Sequence, residues 1–185
     1  MSADIPFLQR KKRTRSSYES RLNRERSPVK MAAIPIVSVM LASMVTTLPI
    51  LTSQPFLPPL GLMVLLAWRM LRPGIWPMWV GLPFGLFDDV FNGQPFGSSA
   101  LLWSLAMIGM EEIVDRWAIW RNYWQDWLIA SIIIILALLA GLWFVALAST
   151  APGAFILLPQ IIISVLLFPL IVRLCAKLDN WRLAT

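Results

Sequence analysis

Residues 127–148 read WLIASIIIILALLAGLWFVALA, a run of 22 positions from Trp127 to Ala148 with no charged side chain. A helix rises about 1.5 Å per residue, so such a run reaches the roughly 30 Å needed to cross a hydrocarbon core. Other apolar runs of comparable character lie on both sides of it. The chain of 185 residues is 58% hydrophobic and 14% charged. A soluble domain carries about a quarter charged residues. The spacing therefore predicts an all-α integral membrane protein of six transmembrane helices, at about 31–51, 58–71, 75–91, 98–114, 127–148 and 154–174. The membrane domain is expected over 31–178, with 179–185 as a cytoplasmic C-terminus.

The charge supports this count. Residues 1–30 hold nine basic groups and three acids, which accounts for the whole net charge of +6. The rest of the chain balances seven basic groups against seven acids. The tail reads as a disordered basic cytoplasmic segment in contact with anionic lipid, not as a nucleic-acid binder. Met31 offers an alternative start that would delete it. Arg69 and Arg72 fall between helices two and three, and Arg116 and Arg121 between helices four and five. Arg173, Lys177 and Arg182 end the chain. Six spans place all of them on the tail's side, which the positive-inside rule makes the cytoplasm. Both termini are then cytoplasmic.

Chemistry-bearing residues are few. There is no histidine, the commonest acid–base catalyst and metal ligand, and Cys175 is the single cysteine, which excludes an internal disulfide. No catalytic group, cofactor or metal site is expected. The densest signal is helix three and its exit, residues 81–97, GLPFGLFDDVFNGQPFG. Gly81, Gly85 and Asp89 are spaced by four and share one helical face. Glycines at that spacing admit a close helix neighbour. Asp88 lies about 100° around the helix. Pro77 and Pro83 should kink it. Asp89 is read first as a brace that accepts amides of the turn near Gly93. Contact with a partner, or proton or ion coupling, comes second, and catalysis last. Ala100 and Ser104 form a small-residue face on helix four, and Gln160 and Ser164 a polar step on helix six.

The second signal is aromatic. Ile113, Trp117, Trp120, Trp124 and Trp127 step by four, three, four and three, one stripe of an amphipathic stretch. The tryptophans read as interfacial anchors at headgroup level, with Trp68, Trp76 and Trp79 read the same way. A dock for a cytoplasmic partner is the alternative. Glu112 and Arg116 are placed for an i,i+4 pair.

Gly85, Asp89, Gly93 and Gly97, followed by Ser99-Ala100-Leu101-Leu102 and preceded by Pro77 and Trp79, resemble the rod shape-determining MreD family of bacteria. The long basic tail and the extra Asp88 depart from that pattern. The resemblance implies a non-catalytic scaffold or regulator in the bacterial cytoplasmic (inner) membrane. It implies partnership with an MreC-like periplasmic protein of one span. It also implies indirect contact with an MreB-like filament and the RodA and transpeptidase machinery of peptidoglycan elongation. The alternative is the substrate-binding membrane subunit of a vitamin or cofactor transporter. That reading needs a pocket of convergent polar groups.

Overall fold

A computed structural model describes residues 28–46, 57–92, 95–116, 123–148 and 154–184. Among them the chain is helical, with no strand. Six α-helices follow in order: α1 Pro28–Thr46, α2 Leu60–Leu71, α3 Gly81–Asn92, α4 Ser98–Arg116, α5 Tyr123–Ala148 and α6 Leu158–Ala184. Short 3-10 turns at Met78–Val80 and Ala154–Leu157 lead into α3 and α6. The basic tail before Pro28, Gly93, and Trp117 and Trp120 of the aromatic stripe lie outside the described residues.

Several ends differ from the expectation, each for a local reason. The third helix was expected from residue 75. Pro77 instead stands in extended backbone, φ −68° and ψ 156°, and only a 3-10 turn precedes Gly81. Pro83 falls in the first turn of α3, where a missing amide costs nothing because the first four have no helical acceptor. The prolines thus delay the helix rather than bend a longer one. The sixth helix was expected to end at 174, with a separate segment from 179. It runs on to Ala184, because Asp179 and Arg182 find partners in the bundle.

α2 is the axis of the bundle. From Gly61 to Met70 only Val64 is not buried. α1, α4, α5 and α6 pack around it, while α3 lies against α4 and α1. At 12 residues α2 is about 18 Å long, short for a full crossing. The backbone before it stays non-helical, and Gln160 of α6 donates to the Leu57 carbonyl at 2.7 Å. A free carbonyl inside a membrane protein needs such a partner.

The outside is apolar. Leu128, Ile132 and Leu136 on α5, and Ile162, Leu166 and Leu170 on α6, repeat every four residues and are more than half exposed. A water-soluble chain rarely shows apolar patches of that extent. Trp124–Ala146 and Leu158–Arg182 are each long and apolar enough to cross a membrane, and Ala32–Thr46 and Leu60–Leu71 are shorter apolar helices. The burial pattern is that of a bundle with lipid as solvent.

Candidate functional site

The α3–α4 contact is backbone on backbone. A methyl carbon added at Gly81 would stand 2.6 Å from the Trp103 carbonyl oxygen and 2.8 Å from the Ser104 amide nitrogen. One added at Gly85 would stand 2.5 Å from the Ser99 oxygen and 2.6 Å from the Ala100 nitrogen. The Ala100–Ser104 face is thus the surface on which the two glycines lie. Ser104 returns its hydroxyl to the Ala100 carbonyl at 2.7 Å. One turn beyond Gly85 the same face carries Asp89. Where the glycines let the helices touch, Asp89 reaches past them to the start of α4.

Asp89 caps that start. Its Oδ2 accepts the Gly97 amide at 2.8 Å and its Oδ1 the Ser99 amide at 2.9 Å. Ser98 Oγ and the Ala100 amide add longer contacts of 3.3 and 3.4 Å. The carboxylate is 3% exposed, and the chain has no Lys or Arg between residues 73 and 115 to pair with it. Its charge is met by the unpaired amides and positive dipole end of α4. Gly97 serves the same junction through its backbone, with φ +93°, a conformation open to glycine and strained for other residues. The amides used are those of Gly97, Ser99 and Ala100, downstream of Gly93.

Asp88 turns away toward α1. Ser43, Asn92 and Ser99 are the polar groups that face it. Thr46 Oγ1, at the end of α1, lies 3.0 Å from Asn92 Oδ1 at the end of α3 and 2.5 Å from the Ser43 carbonyl oxygen. Ser43 is fully buried beside Gly61 of α2, where a Cβ would strike its hydroxyl. Two helix C-termini and one N-terminus therefore meet around two adjacent carboxylates.

The opposite end of the bundle holds paired charges. Arg69, at the end of α2 and 6% exposed, pairs with Glu111 of α4 at 3.1 Å and donates to the Trp76 carbonyl at 2.8 Å. Arg72 meets Asp179 of α6 at 3.0 Å, and Arg182 holds the other carboxylate oxygen at 2.5 Å. The Arg182 guanidinium also stacks 5.5 Å from the centre of the Trp68 ring. The C-terminal ends of α2, α4 and α6 thus lie together. Arg116 of the expected Glu112–Arg116 pair has its side chain outside the described set.

The tryptophans divide. Trp79 and Trp124 are exposed, 68% and 69%. Trp68 and Trp76 depart from the anchoring expectation: both are buried, Trp68 donating to Ser38 Oγ at 2.9 Å and Trp76 stacking edge-on against Phe84 at 5.5 Å. Trp127 is half-buried and donates to the Val165 carbonyl of α6 at 3.1 Å. Pro169, four residues on, has no amide to give that carbonyl. Beside it lies a cavity of about 140 Å³ walled by Met70, Leu71, Trp127, Phe168, Pro169 and Val172, with Asp126 as its charged lining residue.

Gly61, Ser43, Thr46 and Asn92 were missed because each sits alone in an apolar run or turn, where spacing gives no signal. Arg69 enters the sequence reading only as a marker of side, and Asp179 does not enter it. Glu111 could have been matched to Arg69 as the acid nearest in depth on a neighbouring span.

A family model described as rod shape-determining protein MreD matches residues 25–178. No curated protein sequence and no solved structure matches the chain.

Proposed function

The chain belongs to the MreD family of rod shape-determining membrane proteins, and from that premise we propose that it is a non-catalytic scaffold of the cell-elongation complex. In this reading its six helices cross the cytoplasmic membrane with both termini inside. Its outer helix faces hold an MreC-like protein of one span, and an MreB-like filament and the RodA and transpeptidase machinery are reached through that partner. The observation that carries the reading is how the buried polar groups are arranged. Asp89, Arg69, Asp179 and Gln160 each tie one helix end to another, and none of the four lines the cavity beside Trp127. A scaffold needs rigid helix faces, whereas a vitamin carrier needs convergent polar groups around a cavity. The gathering of Arg69, Arg72 and Arg182 at the shared end of α2, α4 and α6 supports the inward orientation of that end.

The test is recovery of a partner. Solubilised from its native membranes under mild detergent, the tagged chain should bring down a single-span protein with a periplasmic coiled coil. Depletion of the chain should turn rods into spheres. Failure of both would sink the scaffold reading, and tight vitamin binding by the isolated protein would put the transporter reading in its place.

A further inference from the structure

The junction of α1, α3 and α4 carries more negative character than the described residues neutralise. Asp89 is met by four donors at the start of α4 and the residue before it. Among the described residues Asp88, buried beside it, faces the neutral side chains of Asn92, Ser43 and Ser99 and the like charge of Asp89. The sequence places no Lys or Arg between residues 31 and 68, or between 73 and 115, so no cation of these stretches is at hand. A carboxylate held in a low-dielectric interior without a counter-charge is costly. Among the described residues no Lys or Arg faces Asp88, and an external counter-charge would relieve that cost.

Three features favour a metal cation over a proton. The first is an excess of acceptors: Thr46 has one hydroxyl hydrogen, yet its Oγ1 lies within hydrogen-bond reach of both the Ser43 carbonyl and Asn92 Oδ1. The second is Ser43 Oγ, fully buried, facing Asp88 and completing no hydrogen bond of ordinary geometry. The third is the backbone. Thr46 and Asn92 are the last residues of α1 and α3, so two negative dipole ends point at the site. Helix C-terminal ends with carboxylate and carbonyl oxygens are how membrane proteins hold alkali cations. One uncompensated carboxylate matches one positive charge.

We propose that Asp88, Ser43, Thr46 and Asn92 form a binding site for a monovalent cation of the sodium class at the junction of α1 and α3. The cation joins the two helix ends as Asp89 joins α3 to α4. The inference does not depend on the scaffold reading and its test is separate.

The full chain in lipid nanodiscs should bind radiolabelled Na⁺ saturably at neutral pH, near one ion per chain, with unlabelled Na⁺ competing and choline failing to compete at equal ionic strength. Its thermal midpoint should rise by several degrees in NaCl over choline chloride. Asp88→Asn should abolish both effects, Ser43→Ala should weaken binding several-fold, and Glu112→Gln, at an exposed carboxylate, should leave binding unchanged. If Asp88→Asn does not fold, Ser43→Ala decides. Binding that is not saturable, that survives Asp88→Asn, or that is unaltered by Ser43→Ala overturns the site. So does a carboxyl that takes up only a proton, seen as acid-dependent stability with no response to Na⁺.

Discussion

The Asp89 carboxylate on α3 accepts the Ser99 amide of α4 at 2.9 Å, across a separation of ten residues. An N-cap ordinarily belongs to the residue just before its helix. Here the cap comes from the preceding helix, so one carboxylate both ends the orphaned amides of α4 and fixes the angle of the α3–α4 hairpin. Asp89→Ala should lower unfolding stability by about 2 kcal/mol, the upper part of the range for lost caps, because the site is buried. Asp89→Asn should fall between, since its amide keeps one acceptor and turns a donor toward amides that need none. Reversible unfolding in mixed micelles measures both. An alanine variant as stable as the parent would refute the cap.

Gly85 and Gly109 make a matched pair. At Gly85 a methyl group meets α4 backbone at 2.5–2.6 Å, whereas at Gly109 it meets nothing within 4 Å. Backbone cannot move aside as a side-chain tip can. Gly85→Ala should destabilise by about 1–3 kcal/mol through overpacking. Gly109→Ala should be neutral or stabilising by up to about 1 kcal/mol, as expected for removing glycine from a helix interior. The same unfolding assay gives both signs, and equal effects would show that the α3 face does not pack as described.

The α3–α4 hairpin was legible because its signal is periodic. Gly81, Gly85 and Asp89 recur every four residues, and period alone puts them on one face. The membrane class was legible for the same kind of reason, from the length of the run at Trp127–Ala148. Pairings between distant segments left no such trace. Nothing in spacing links Arg72 to Asp179, 107 residues away, or Gly61 to Ser43. Helix three began late because two prolines outweighed an apolar run that hydropathy alone reads as continuous. The last helix ran long because paired charges at Asp179 and Arg182 no longer behave as solvated ones. Trp68 and Trp76 went inward because each has a specific neighbour, which an aromatic count cannot see.

Arg69 and Glu111 form an unequal pair, with side chains 7% and 26% exposed. Removing the partner of a buried charge costs more than the pair contributes, because the survivor stays desolvated. Glu111→Gln should therefore destabilise by about 3 kcal/mol, at the low end for buried pairs since Glu111 keeps part of its hydration. The double variant Arg69→Met with Glu111→Leu should be milder than Glu111→Gln alone. A double variant worse than the single one would mean that the pair contributes net stability.

Trp127, Val165 and Pro169 permit a closed test of how the bundle treats its broken helix. Pro169 removes the amide that would bond the Val165 carbonyl, and Trp127 Nε1 replaces it at 3.1 Å. Trp127→Phe keeps most of the ring volume and removes the donor, so the carbonyl is left bare in an apolar setting. That should cost about 1–3 kcal/mol, the penalty of an unmet buried acceptor. In a Pro169→Ala background the helix amide returns and the carbonyl no longer needs the indole. Trp127→Phe should then cost well under 1 kcal/mol, giving a coupling of about 1–2 kcal/mol between residues on different helices. Purely additive losses in this double-mutant cycle would show that the indole acts by packing alone.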